Sequence, residues 1–142
     1  MKLRFTLAVS CVLLLLAGCA ATTRQPQPQP QPTQSVSFIE PANDAVVVSP
    51  FMVKFGLSGM EVAPAGAIAP NSGHHHLLIN ADPIAAGQAI PIDEHHLHFG
   101  KGQTETMVTL PPGRYKLTMQ FANGAHQSYG PALSKTIMVT VK

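Results

Sequence analysis

Between residues 114 and 141 the side chains alternate. Tyr115, Leu117, Met119 and Phe121 fall on one face, and Lys116, Thr118 and Gln120 on the other. Ile137, Val139 and Val141 likewise oppose Thr136, Met138 and Thr140. A period of two belongs to a strand that packs one face inward and turns the other to solvent. No part of the domain carries a long helical period, and short apolar runs cut by Gly, Pro and Asn continue back to residue 36. The pattern predicts strands over 36–39, 45–48, 51–57, 74–79, 95–99, 104–110, 114–121 and 134–141. Pro111-Pro112-Gly113 sets a fixed φ and then a permissive residue, as a tight reversal needs, and Asn123-Gly124 is a second turn signal. The expected fold over 35–142 is all-β, an immunoglobulin-like antiparallel β-sandwich of about seven or eight strands. Tryptophan is absent, so no Cys-Trp-Cys core of the antibody type can form.

The first residues are of another kind. Met1-Lys2-Leu3-Arg4 is a short basic start, 7–17 is nearly all apolar, and Leu16-Ala17-Gly18-Cys19 looks like a bacterial lipobox. The apolar run is short for a membrane span of about 20 residues. The expectation is a lipoprotein signal peptide over 1–18, with the lipid carried by Cys19. Residues 19–34 form a Gln/Pro-rich linker, whose alternating proline over 25–32 favours an extended tether of roughly 40 Å. Ala20 after the cysteine favours the outer membrane, facing the periplasm, as the destination.

Two exclusions follow from that processing, and a third from the absence of catalytic motifs. Cys11 leaves with the signal and Cys19 is lipidated, so the domain has neither disulfide nor thiol, and cysteine ligands or nucleophiles are ruled out. Loss of Lys2 and Arg4 takes nine basic residues to seven, against seven acidic ones, leaving no basic footprint for nucleic acid. Neither a GxSxG elbow nor an HExxH motif is present, and no complete catalytic constellation can be named. The chain is therefore expected not to be an enzyme.

What remains is histidine. Six of the seven lie in two short stretches, SGHHHLLIN at 72–80 and DEHHLHFG at 93–100, flanked by long loops over 58–72 and 80–94; the seventh is His126. Alternation puts His74 and His76 on one face of the first strand with Leu78, and His75 on the other with Leu77 and Ile79. On the second strand, His96 and His98 oppose His95, Leu97 and Phe99. If the two strands are neighbours, His74, His76, His96 and His98 share a patch, because cross-strand partners approach to about 5.5 Å. Nitrogens about 2.0–2.1 Å from a common ion are then reachable, and neutral imidazole suits copper, zinc and nickel. Met60 or Met107 would add a thioether and favour copper, while Asp93, Glu94 and Glu105 are candidates to orient an imidazole from behind. His75 and His95 read as structural histidines whose rings bridge backbone groups in the core.

The strings GMEVAPAG at 59–66, GHHHLLIN at 73–80 and HLHFGKGQTE at 96–105 resemble the bacterial secreted family called domain of unknown function 4399, a likeness extending through LPPG at 110–113 across about 38–141. The resemblance implies a small secreted or envelope β-sandwich and no established activity. Members often carry a further histidine shortly after the one matching His126, where this chain has Tyr129. His126 therefore ranks behind the strand histidines as a ligand candidate.

Two functions meet these constraints. The first is an envelope lipoprotein that binds copper or zinc through His74, His76, His96, His98 and His126, for sequestration or delivery. The alternative is a non-metal interaction module presenting its loops to an envelope protein or glycan, with the histidines structural.

Overall fold

The computed structural model describes residues 33–142, so the expected signal peptide, Cys19 and nearly all of the proline tether lie outside the described residues. Nine strands follow in order: β1 (Ser35–Glu40), β2 (Ala45–Val47), β3 (Phe51–Ser58), β4 (Glu61–Val62), β5 (Ser72–Ile79), β6 (His96–His98), β7 (Glu105–Val108), β8 (Gly113–Ala122) and β9 (Ser134–Val141). One 3-10 turn, Pro131–Leu133, precedes β9. The strands form a three-stranded sheet in the order β1-β3-β7 and a six-stranded sheet in the order β2-β9-β8-β5-β4, with β6 also paired to β5. The result is an all-β, sandwich-like fold.

Two details differ from the expected antiparallel sandwich. β2 runs parallel to β9, and β4 runs parallel to β5. β4 is also an additional strand: its two residues lie within a loop rich in Gly, Ala and Pro and carry no pattern of their own.

The core lies between the sheets. β3 contributes Phe51, Val53 and Phe55; β8 contributes Leu117, Met119 and Phe121; β9 contributes Ile137, Val139 and Val141. On β8 and β9 these are the inward positions that the two-residue period assigns. The other face of β8 was expected to meet solvent, yet Thr118 and Gln120 are fully buried. The loops over 80–92 and 123–130 lie across that face and are tied to it by polar contacts. Gln120 accepts from the Ile84 backbone N–H at 3.1 Å and donates to the carbonyls of Gly130 at 3.1 Å and Leu133 at 3.3 Å. Thr118 donates to the Ala81 carbonyl at 3.2 Å, and the Ser128 hydroxyl donates to that of Ile84 at 2.8 Å.

β5 is the strand most affected, because all eight of its residues are buried. Leu77 and Ile79 face the sandwich core, whereas Leu78, equally buried, lies outside that core cluster, under the loop cover. Gly73 lets β5 approach β8: any Cβ there would run into the Ala122 carbonyl. Gln120→Leu is expected to lower stability by about 1–3 kcal/mol in urea denaturation, since it leaves the Ile84 N–H and the Leu133 carbonyl without this partner, while the Gly130 carbonyl keeps the Leu133 N–H. Amide exchange in the 80–92 loop should rise with it.

Candidate metal centre

The histidine site follows from strand register. β5 and β6 are antiparallel neighbours with His76 opposite His98, Leu77 opposite Leu97 and Leu78 opposite His96. On its other side β5 pairs with β8, which puts His74 opposite Ala122 and His76 opposite Gln120. His74 and His76 therefore point into the space beneath the loop cover, and His98 joins them from the next strand. His74, His76 and His98 each offer a ligand nitrogen, and these three atoms lie within 4.8 Å of one another. The Nε2 atoms of His74 and His76 are 3.1 Å apart. Two nitrogens on one ion at 2.0–2.1 Å would be separated by about 3.3 Å in a tetrahedral sphere, so this spacing is already that of neighbouring ligands. The three histidines could hold a metal ion.

Gly100 makes room for His98. A Cβ at Gly100 would collide with the imidazole of His98, and the Ala65 methyl borders the same spot. The backbone N–H of Ala65 donates to the Gly100 carbonyl at 2.8 Å. Glycine at this position was legible only as a bend; its function as floor for a ring was not.

His126 meets the cluster at His98 but stands outside the three nitrogens that lie within 4.8 Å of one another, its ring centroid 6.1 Å from that of His76. Its Nε2 lies 3.0 Å from that of His98, and its ring centroid is 4.7 Å from His98 and 5.0 Å from His74. Its low rank from sequence rested on Tyr129 standing where family members often carry a further histidine, a comparison that says nothing of where His126 itself points. A residue in an irregular turn has no period from which to infer its direction.

His96 does not join. It shares a face with His98, but the register sets it against Leu78, and its Nδ1 pairs with Asp93 at 2.8 Å. The partner carboxylate expected for a ligand is thus present, on the wrong histidine. Glu94 stands 87% exposed beside His95 at 3.6 Å, and Glu105 belongs to β7 in the other sheet, opposite Lys54. Neither orients a ring of the cluster, and the Nδ1 atoms of His74 and His76 are buried with no hydrogen-bond partner. The thioether expectation changes too. Met107 is an exposed residue of β7, and Met60 packs against the sandwich core.

The two structural histidines separate. His95 precedes β6 with its side chain 58% exposed, so it does not bridge core groups. His75 is fully buried on the core face of β5, between Phe55 at 4.9 Å and Phe121 at 5.0 Å, yet neither ring nitrogen has a hydrogen-bond partner. Its packing is aromatic rather than a hydrogen-bonded bridge.

Burial sets the charge state. It lowers the pKa of His74 and His75 from the ordinary 6.5 to about 4 and that of His76 to about 3; neighbouring imidazoles add to each shift. The pKa of His98 is lowered as well, by burial and then by His126. Neutral rings are what metals require. They also link stability to pH. The unfolded chain takes up protons near pH 6.5 while the folded one resists to about 4 or 3. The contribution is therefore complete above pH 6.5 and is lost as the pH falls through that window. Urea denaturation of the metal-free protein should show a decline from pH 6.5 to 4. His75→Leu should flatten it by about 1.4 kcal/mol per pH unit, the value of one proton.

A family model described as domain of unknown function (DUF4399) matches residues 53–142, more than half of the chain, and the chain belongs to that family. The match begins within β3, later than the residue 38 expected, and contains every histidine of the cluster. No curated protein and no solved structure matches the chain.

Proposed function

We propose that this DUF4399 protein is an envelope lipoprotein that takes up copper or zinc through His74, His76 and His98, for sequestration or delivery. One observation carries the proposal: three imidazole nitrogens from two paired strands lie within 4.8 Å of one another under a loop cover. The donor set is nitrogen only, which suits Zn(II), Cu(II) and Ni(II) and disfavours soft monovalent ions. The absence of any cysteine from 20–142 fits a site that works in an oxidising compartment. The lipobox-like Leu16-Ala17-Gly18-Cys19 supports attachment at the outer membrane, facing the periplasm. When bound, the ion would be held rather than put to chemical use. The chain supplies neutral donors, with His74 and His76 fully buried beneath the cover and His98 partly exposed at its edge.

Elemental analysis after metal exposure and isothermal titration of the purified protein should give one equivalent of Zn(II) or Cu(II) with micromolar or tighter affinity. The combined change His74→Ala, His76→Ala and His98→Ala should abolish uptake. A wild-type protein that stays metal-free would sink the proposal and leave the interaction-module alternative. Gly100→Ala is a finer probe: it should weaken binding at least about tenfold by displacing the His98 ring, at little cost in stability, because the atoms in its way end a flexible side chain. Cys19→Ser is expected to move the protein from the membrane fraction to the soluble one.

A further inference from the structure

His126 has a φ of 61°, in the left-handed region that residues with a Cβ rarely enter. Such a conformation persists where surrounding bonds over-determine it, and it clusters at functional sites. Here the bonds are many. His126 donates its backbone N–H to the Asn123 carbonyl at 2.9 Å, and its own carbonyl accepts from Ile90 at 2.9 Å. The Asn123 side chain accepts from the backbone of Ala125 at 2.9 Å and of Gln127 at 3.0 Å. The neighbouring Gly124 sits directly against the Ala67 carbonyl, and its own carbonyl accepts from Gly66 at 2.8 Å. Two loops and a turn thus converge on one unfavourable backbone conformation. Its outcome is an imidazole Nε2 placed 3.0 Å from that of His98.

Three protein nitrogens leave a tetrahedral ion one position open for water, whereas four close it. The strands supply three. We infer that His126 is the fourth donor, so that the protein encloses a divalent d-block ion in a sphere of four imidazoles with no place for an outside ligand. This rests on the metal-binding proposal above and specifies it: a closed site suits an ion in storage or transit and not one that activates water. His74 and His76 are fully buried while His98 and His126 are partly exposed, so the ion enters and leaves past the 123–127 turn.

Cobalt(II) is the probe, because its visible bands report coordination number, and azide is the outside ligand. The wild-type protein should give intense tetrahedral bands that azide leaves unchanged. His126→Gly should bind Co(II) at least about tenfold more weakly, and azide should then shift its spectrum. The metal-free variant should melt no lower than wild type, since glycine adopts positive φ freely. His126→Asn, which also tolerates that backbone, provides the same comparison should the glycine variant fail to fold. Azide-sensitive bands in the wild type, or an unchanged affinity in both variants, would overturn the fourth-donor assignment while leaving metal binding intact. No Co(II) uptake by the wild type would overturn both.

Discussion

Burial of β5 on both faces is the constraint on which the rest of the structure depends. A strand in a two-layer sandwich ordinarily has one dry face, and polar residues on the other are solvated. Here the loops over 80–92 and 123–130 remove that option, anchored by Gln120, Thr118 and Ser128. His74 and His76 are left with each other as hydrogen-bond partners, and with the rings of His98 and His126 as neighbours.

That arrangement is unfavourable by ordinary accounting of buried polar groups. A neutral imidazole carries one N–H. When one Nε2 donates to the other, the accepting ring must carry its proton on Nδ1, and the Nδ1 atoms of both His74 and His76 are buried and unpartnered. The metal-free pair therefore always strands one buried donor, at a cost of about 1–3 kcal/mol. Apolar residues of similar size would avoid that cost. Their absence is the energetic counterpart of the geometry: the nitrogens converge where a core would prefer none. His75, stranded on the opposite face between two phenyl rings, has no such set of converging partners, and nothing in the structure explains its retention.

Much of this was legible in the chain, and the illegible parts share a cause. Period-two alternation located eight of the nine strands and assigned His74, His76 and Leu78 to one face of β5 and His75, Leu77 and Ile79 to the other. Adjacent placement of the two histidine strands was the supposition on which the cluster turned, and the pairing of His76 with His98 fulfils it. Register was not legible. A shift along β6 decides whether His96 or Gly100 comes toward His74, and alternation is blind to shifts of two. Burial of Thr118 and Gln120 was equally hidden, because a strand pattern reports polarity and not what a distant loop will cover. His126 was ranked low because Tyr129 replaces a histidine common in the family, whereas its direction is fixed by Asn123 and by backbone contacts with the 66–67 and 90 positions, which no local spacing encodes.

If the site holds an ion as proposed, the loop cover has a consequence for where in the cell it can be loaded. Its ring nitrogens come from two paired strands and a turn well beyond both, and they meet only once β5 and β6 have paired and the 123–127 turn has folded against them. A chain threaded through a membrane in extended form has no such constellation and could carry no cargo across. On the proposed function, the compartment in which the chain folds therefore chooses the ion it receives.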